Sequence, residues 1–272
     1  MRWAFGFAQA LSARLAARWA LRLFLHTYRH PVRAPDAALL AKANQERLQV
    51  GAQTVAVYDW AGTGPTALIV HGWGSSAARF TLLAEALRVR GWRVIAFDAP
   101  GHGASTGRSS SLPQFMAALD AVVERYGAPQ ALIGHSLGAL AIACRHRDGA
   151  PTWASALRGA VLISMPSGAE FLLTRFIDVL GLSRATETAL RARFQERFDA
   201  TPPQFASMPG VGRIGAPVLL VHDRGDDIAP YEHSLALHEQ VPATHLLTTE
   251  GQGHSKLTRD AATIARIVEF LA

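Results

Sequence analysis

The segment Gly134-His135-Ser136-Leu137-Gly138 has residue types and spacing that suit nucleophilic catalysis. It follows a predicted strand at 131–133 and opens a predicted helix from 137 to about 147, the context in which a G-x-S-x-G motif forms a sharp nucleophile elbow. Glycines at 134 and 138 leave room for the tight turn, which projects the Ser136 hydroxyl above the sheet. We therefore predict that Ser136 is a nucleophile.

A serine hydroxyl needs a general base, and that base needs an acid to orient it. The chain has eleven histidines. His254 is the best candidate because it lies in the flexible loop Gly251-Gln252-Gly253-His254, directly after the last predicted strand and at the same sheet edge as Ser136. His71, His102 and His135 flank other loops of the site and are interpreted as structural. We predict that His254 is the base.

The orienting acid is expected just after the predicted strand at 218–221, where three aspartates lie close together. The position relative to Pro230 favours Asp226, with Asp227 as the rival. Asp223 is interpreted as a residue that caps the loop. We predict that Asp226 orients His254.

A second loop, His71-Gly72-Trp73-Gly74, follows the first buried parallel strand and supplies backbone donors. The N–H of Trp73 can face the N–H of Leu137 at the start of the helix after Ser136. Such a pair of donors stabilises the oxyanion of a tetrahedral intermediate. The alternative is a Gly-rich turn without a catalytic part.

The elements that must position these residues form a regular alternation of strands and helices. Short apolar runs typical of strands buried on both faces recur along the chain, at 67–70, 94–97, 131–133, 161–163 and 218–221. Helical spacing is found between them, at 79–90, 111–126 and 137–147, and again at 258–271. This alternation predicts an α/β fold with a mostly parallel central sheet and helices on both faces.

More than fifty residues separate the strands at 161–163 and 218–221, which is too many for one crossover helix. Helices are predicted at 171–180 and 185–198. Because ligands bind at the carboxyl ends of parallel strands, we expect this insertion to form a lid at about 167–210. Phe171 and Phe176 on the lid, together with His71, are the predicted substrate pocket; packing of the lid onto the body is the alternative role for these two phenylalanines.

The N-terminal extension, residues 1–45, is basic and predicted to be helical over 1–30. Arg14, Arg18 and Arg22 fall on one helix face, beside an apolar stripe that includes Trp19. Two interpretations stay open: a helix packed on the parent domain, or a basic amphipathic helix that contacts an anionic membrane surface. A secretory signal peptide is disfavoured because Arg14 and Arg18 interrupt the apolar region.

Composition excludes several classes of protein. The 272 residues are 49% hydrophobic and 18% charged, which excludes disordered and fibrous chains. Of 27 basic residues, six precede the first acidic residue, which leaves 21 basic and 21 acidic residues over 34–272. This neutral body does not favour nucleic-acid binding. Cys144 is the only cysteine, and no apolar run reaches the length of a membrane-spanning helix. We therefore expect a cytoplasmic protein. Peripheral contact with the inner face of the membrane is the alternative location.

Four motifs together resemble the α/β-hydrolase superfamily: HGWG at 71–74, DAPGHGAS at 98–105, GHSLG at 134–138 and GQGH at 251–254. The resemblance covers roughly residues 50–272, within a predicted hydrolase domain at 46–272. It implies a serine hydrolase with Ser136, Asp226 and His254 as its triad, in the chain order expected for this fold. Neither a metal nor another cofactor is expected.

The resemblance does not specify a substrate, because this fold hosts many activities. A carboxylesterase that acts on a small-molecule ester through an acyl-serine intermediate is the leading hypothesis. An acyltransferase, a thioesterase or an amidase on the same triad is the alternative, as is a non-catalytic membrane-surface binding protein. The sequence does not indicate an oligomeric state.

Overall fold

Eight strands form one mixed sheet in the order β1-β2-β4-β3-β5-β6-β7-β8. The computed structural model describes residues 2–272. Strands β3 to β8 are parallel, while β1 pairs with β2 and β2 with β4 in the antiparallel sense. The strands span Asn44–Val50 (β1), Gln53–Trp60 (β2), Thr66–Val70 (β3), Arg93–Asp98 (β4), Ala131–His135 (β5), Gly159–Ile163 (β6), Val218–Asp223 (β7) and Thr244–Thr249 (β8). The predicted α/β architecture with a mostly parallel sheet is confirmed.

The chain divides into two compact units. The sheet unit comprises Thr27–Pro166 and Ser207–Ala272, and the helical unit comprises the chain up to His26 with Ser167–Ala206. Helices of the sheet unit are Ala34–Leu40 (α3), Thr81–Val89 (α4), Leu112–Tyr126 (α5), Leu137–His146 (α6), Met208–Val211 (α9), Glu232–Gln240 (α10), Gly253–Lys256 (α11) and Ala261–Leu271 (α12). Those of the helical unit are Arg2–Leu11 (α1), Ala13–Phe24 (α2), Ala169–Leu180 (α7) and Arg184–Phe198 (α8).

Both faces of the central strands are buried, as the continuous apolar runs predict. On one face Ile69, Ile133 and Val161 join a core cluster with side chains of α4 and α12. Their neighbours in the strands, such as Leu132 and Leu162, point to the other face and are equally buried. The sheet is therefore a rigid platform whose loops at the carboxyl ends can be held in place.

Strand β1 is an addition to the predicted elements. It is largely polar, with the sequence NQERLQV, and its side chains alternate between exposed and half-buried positions. Arg125 and Tyr126 of α5 hold it through the Glu46 carboxylate, at 2.9 and 2.7 Å. The strand is thus positioned by hydrogen bonds to the ends of other elements rather than by an apolar face.

The N-terminal segment forms two helices where one was predicted. Helix α1 ends at Leu11, and the hydroxyl of Ser12 accepts a hydrogen bond from the backbone N–H of Leu15 and caps α2. Within the helical unit, α2 packs on α8, and the Phe24 ring meets Phe176 of α7 edge-on at 5.1 Å. No helix among residues 2–272 is long and apolar enough to cross a membrane. The domain boundary at residue 45 and the lid role of 167–210 stay predictions.

Candidate active site

Ser136 sits at a strained turn between β5 and α6. Its φ of 52° and ψ of −117° lie in a region that a side chain makes costly. A Cβ at Gly134 would lie 2.6 Å from the Ala139 Cα, and one at Gly138 would lie 2.3 Å from the Val70 carbonyl oxygen. Only glycine fits at both positions, so the spacing of the motif follows from the closeness of strand, turn and helix. The turn leaves Ser136 half-buried.

His254 and Asp226 are in direct contact in the loops after β8 and β7. The Nδ1 atom of His254 lies 2.8 and 3.0 Å from the two carboxylate oxygens of Asp226. An Nδ1–H that donates to this carboxylate leaves Nε2 as the basic nitrogen of the ring. Asp227, the sequence rival, is exposed beside this pair. The structure therefore brings His254 to Asp226.

His222 is a second imidazole on Asp226 that the sequence did not single out. It is fully buried at the end of β7, with Nε2 at 2.8 Å from the Ala229 carbonyl and 3.3 Å from Asp226 Oδ2. Burial raises the pKa of Asp226, but hydrogen bonds from His222, His254 and the Ala229 N–H outweigh it and hold the pKa well below its usual range. Asp226 is thus an ionised carboxylate at neutral pH. A histidine four residues before the acid was the only available sequence signal.

Asp223 fixes the loop that carries His254, in agreement with its predicted role. Its carboxylate accepts hydrogen bonds from the Gly225 N–H, the Thr249 hydroxyl and the Gln252 N–H, at 2.8–2.9 Å. These three donors come from the loop after β7, the end of β8 and the loop after β8. Asp223 therefore joins the loop of the acid to the loop of the base.

His135 joins the base loop to the elbow. It is buried, and its Nε2 donates to the His254 backbone carbonyl at 2.8 Å. Burial, with a further contribution from the neighbouring His254, lowers the pKa of His135 to about 3, so its ring is neutral near pH 7. It is a support for the turn and for the base, and not itself a base of ordinary strength.

The loop after β3 is the predicted source of the Trp73 donor. Among the described residues, neither the Trp73 N–H nor the Leu137 N–H has an acceptor in the protein. His71 holds this loop: its Nδ1 lies 2.7 Å from the Gly72 carbonyl and its Nε2 accepts from the Ala99 N–H at 2.9 Å. Burial lowers the pKa of His71 to about 4, which keeps its ring neutral. His71 therefore supports the loop that carries Trp73.

The loop after β4 is organised around the buried carboxylate of Asp98. Asp98 accepts hydrogen bonds from the Ala77 N–H at 2.7 Å and the Ala104 N–H at 2.8 Å. A Cβ at Gly103 would lie 2.1 Å from one of its oxygens. The carboxylate thereby links this loop to the turn that follows Trp73.

The loops after β3, β5, β7 and β8 thus carry Trp73, Ser136, Asp226 and His254, all at the carboxyl ends of parallel strands. A cavity of about 580 Å³ in the sheet unit is bordered by Trp73, His135 and His254. The remaining predicted pocket residues, Phe171 and Phe176, belong to α7 of the helical unit, and their assignment to a substrate pocket stays a prediction. A strained serine, a histidine paired with an ionised aspartate and two unoccupied N–H donors are together suited to acyl transfer.

Comparison with known proteins agrees with this architecture. A family model described as "Alpha/beta hydrolase family" matches residues 67–267. The chain is similar to the pimeloyl-[acyl-carrier protein] methyl ester esterase of Chromobacterium violaceum, with 31% identity over 219 residues that cover 66% of this chain and 84% of the relative. It is also similar to the mouse alpha/beta hydrolase domain-containing protein 17C, with 26% identity over 189 residues; this match covers 66% of the chain but only half of the mouse protein.

Solved structures show the same fold. The Pyrococcus furiosus esterase Pf2001 superposes with a TM-score of 0.67, covering 91% of this chain and 96% of the esterase at 19% sequence identity. The curated relatives carry names of esterases and hydrolases, and the family model covers the chain from β3 into α12. The chain is a hydrolase that belongs to the alpha/beta hydrolase family.

Proposed function

We propose that this hydrolase cleaves carboxylic esters through an acyl-Ser136 intermediate, with His254 as general base and Asp226 as its orienting acid. The observation that carries the proposal is the pair formed by His254 Nδ1 and the Asp226 carboxylate, at 2.8 and 3.0 Å, on loops at the same sheet edge as the strained Ser136. A relative that is named as a methyl ester esterase supports the choice of ester chemistry.

In the acylation step, the Ser136 hydroxyl attacks the ester carbonyl while its proton moves to His254 Nε2. The carbonyl π electrons move onto oxygen, and the Trp73 and Leu137 N–H groups donate to the resulting oxyanion. Collapse of the tetrahedral intermediate breaks the bond to the alcohol oxygen, which takes the proton from His254. The products are acyl-Ser136 and the free alcohol.

In the deacylation step, water replaces the alcohol. His254 takes a proton from the water as its oxygen attacks the acyl carbonyl, and a second tetrahedral intermediate forms on the same donors. Its collapse returns the proton to the Ser136 oxygen and releases the carboxylic acid. The ionised Asp226 stabilises the imidazolium of His254 in both steps and keeps Nε2 directed to the reaction.

Labelling with a fluorophosphonate, followed by peptide mass spectrometry, tests the proposal directly. We expect an adduct on Ser136 in the natural protein and neither adduct nor release of 4-nitrophenolate from 4-nitrophenyl butyrate in Ser136→Ala. Ser164→Ala is a matched control, because Ser164 also follows a strand with a positive φ of 48° but has a fully buried side chain. Labelling and turnover are expected to survive this exchange.

Two outcomes contradict the proposal. Full activity of a folded Ser136→Ala protein excludes the acyl-serine route. A natural protein that is folded but neither labelled nor active on a series of 4-nitrophenyl esters excludes an activated serine. Circular dichroism spectra of the variants establish that each one is folded.

A further inference from the structure

The cavity beside His254 and Trp73 is positively charged. Its lining includes three arginines, Arg33, Arg79 and Arg259, but a single acidic residue, Asp36. All four lie in the sheet unit. A cavity with an excess of cations at the edge of a catalytic site favours a negatively charged ligand.

Asp36 does not balance these charges, because its carboxylate is already engaged. It is buried, and its Oδ1 accepts from Arg259 Nη1 and from the Thr81 hydroxyl, each at 2.9 Å. One of the three guanidinium groups is thereby neutralised. Arg33 and Arg79 have no carboxylate within ion-pair distance among the described residues.

Of these two arginines, Arg79 gives the stronger indication of an anion site. Its Nη2 donates to the Ser255 carbonyl at 2.9 Å, while its Nε is buried without an acceptor in the described part of the chain. Burial lowers the pKa of this guanidinium and repulsion from Arg259 and Arg33 lowers it further, which the nearby Asp36 offsets only in part. A partly buried cation with an unused donor is costly unless an acceptor arrives with a ligand.

We propose that the cavity binds an oxyanion, either a carboxylate or a phosphate, that the ester substrate carries in addition to its scissile bond. Arg79 and Arg33 are its binding residues. Guanidinium groups suit both anions because their N–H donors match two oxygens at once. The assignment to the substrate rests on the proposed ester hydrolysis, whereas the binding of an anion does not.

Thermal unfolding of the full-length protein in inorganic phosphate or in glutarate, against sodium chloride of equal ionic strength, tests anion binding. We expect at least one of these anions to raise the Tm of the natural protein. The increase is lost in Arg79→Gln and Arg33→Gln and largely restored in Arg79→Lys, which keeps the charge. Arg88→Gln, which removes an exposed arginine of α4, serves as control and keeps the increase. Comparison of the two anions distinguishes a phosphate from a carboxylate ligand.

Hydrolysis of 4-nitrophenyl hydrogen glutarate, against its neutral methyl ester analogue, tests the role of the site in catalysis. We expect the ratio of kcat/KM for the anionic over the neutral ester to fall about tenfold in Arg79→Gln, the size of one charge-assisted hydrogen bond. A purely structural Arg79 would lower both values together and leave the ratio unchanged, which overturns the substrate assignment.

The two experiments separate the two proposals. The anion site is overturned when neither anion raises the Tm of the natural protein, or when the increase persists in Arg79→Gln. This holds even when the esters are hydrolysed. An anion effect in a protein that cleaves neither ester retains the site and overturns ester hydrolysis.

A second inference rests on the helical unit. Trp3, Phe7, Leu11, Leu15 and Trp19 recur every fourth residue along α1 and α2, and each is exposed, from 45% for Trp19 to 93% for Trp3. The packed side of these helices is made by other residues, among them Phe5, Ala16 and Ala20, all fully buried. The exposed set is here called the apolar stripe. Its Trp19 stacks on Phe5 with ring centroids 4.5 Å apart and so also joins α2 to α1, whereas Trp3, Phe7, Leu11 and Leu15 are 64–93% exposed.

The charged residues of α1 and α2 are all arginines. Arg14, Arg18 and Arg22 of α2 are exposed, and the chain has no acidic residue before Asp36. Aromatic rings and leucines next to arginines on a helix surface are suited to the interface of an anionic bilayer. We infer that the apolar stripe and these arginines bind the protein peripherally to membranes that contain anionic lipids.

Sedimentation with vesicles tests this surface. We expect the full-length protein to pellet with phosphatidylcholine vesicles that contain one-third phosphatidylglycerol, and to stay in solution with phosphatidylcholine alone. Exchange of Arg14, Arg18 and Arg22 for glutamine is expected to weaken binding by about 100-fold, since each arginine near the surface contributes about fivefold. Trp3→Ser with Leu11→Ser weakens it similarly.

Val89→Ser is the control, since Val89 is a 75% exposed apolar residue of α4 outside the stripe. Equal pelleting with and without anionic lipid, or no pelleting at all, overturns the inference. Light scattering tests whether the natural protein is a dimer that the Trp3→Ser, Leu11→Ser variant no longer forms. Such a result would assign the apolar stripe to contact with a second copy of the chain and would also overturn the membrane inference.

Discussion

Asp226→Asn is the exchange that separates orientation of the base from simple presence of a polar group. Oδ1 of Asp226 accepts from the Ile228 and Ala229 N–H groups, both at 2.9 Å. An asparagine keeps these two hydrogen bonds only when its amide oxygen takes the Oδ1 place. Its NH2 group then takes the place of Oδ2, which lies 2.8 Å from His254 Nδ1 and 3.3 Å from His222 Nε2.

Two N–H donors cannot share that contact, which is shorter than the 3.0 Å between His254 Nδ1 and Oδ1, so the exchange favours the His254 tautomer that carries its proton on Nε2 instead of Nδ1. In this tautomer Nε2 cannot accept the Ser136 proton. We expect kcat/KM for 4-nitrophenyl butyrate near neutral pH to fall by about 10⁴-fold, the loss that such a change of tautomer causes in a serine protease triad. That corresponds to about 5.5 kcal/mol of transition-state stabilisation.

Asp227→Asn provides the matched control, because it makes the same chemical change at the exposed neighbour. We expect it to retain activity within about threefold, as is usual for an exposed position. Thermal unfolding establishes that both variants are folded. A folded Asp226→Asn protein with more than a tenth of the natural activity, or an equal loss in both variants, would refute the tautomer reasoning.

Further predictions concern the supports of the site. Gly138→Ala places a methyl group 2.3 Å from the Val70 carbonyl oxygen, so urea unfolding should show a free energy of unfolding lower by about 3 kcal/mol. Gly6→Ala, in open space on α1, should instead raise this free energy by up to about 1 kcal/mol. Equal effects would contradict the close-approach explanation. Asp223→Ala releases the base loop and should lower kcat/KM by about 100-fold while the fluorophosphonate still reacts slowly with Ser136; unchanged turnover would mean that other contacts suffice. Burial, assisted by His71, lowers the pKa of His102 from 6.5 to about 3. Between these two pH values the unfolded chain binds a proton at this histidine that the folded chain does not, so the free energy of unfolding falls as the pH decreases. His102→Gln should reduce the slope of the unfolding free energy by about 1.4 kcal/mol per pH unit near pH 5, and an unaltered slope would show that this histidine is already charged in the fold.

The sequence predicted the parallel sheet because its strands are buried on both faces and read as uninterrupted apolar runs. The helices of the insertion were also predicted nearly to the residue, at 171–180 and 185–198 against the observed Ala169–Leu180 and Arg184–Phe198. The contacts at the site were partly predictable: strand ends gave the loops of Ser136, Asp226 and His254, but no pattern showed that His222 also reaches Asp226. That contact depends on the curvature of one loop.

Two misassignments have a common cause. A helix over 1–30 was predicted because its periodicity continues through Ser12, and the side-chain cap at Ser12 outweighs that periodicity locally. Strand β1 was missed because five of its seven residues are polar, a composition that resembles a loop. Its pairing with β2 comes from backbone hydrogen bonds, which are independent of residue type.

The polar character of β1 has a consequence for the solubility of the fold. β1 is one edge of the sheet, and an open edge presents unpaired backbone groups that another extended chain can join. Glu46 and Arg47 place opposite charges in the middle of this edge, where an incoming strand would have to desolvate them. Exchange of both for valine would improve the strand pattern but should convert β1 into a template for intermolecular pairing, so that the protein forms thioflavin-binding aggregates on concentration.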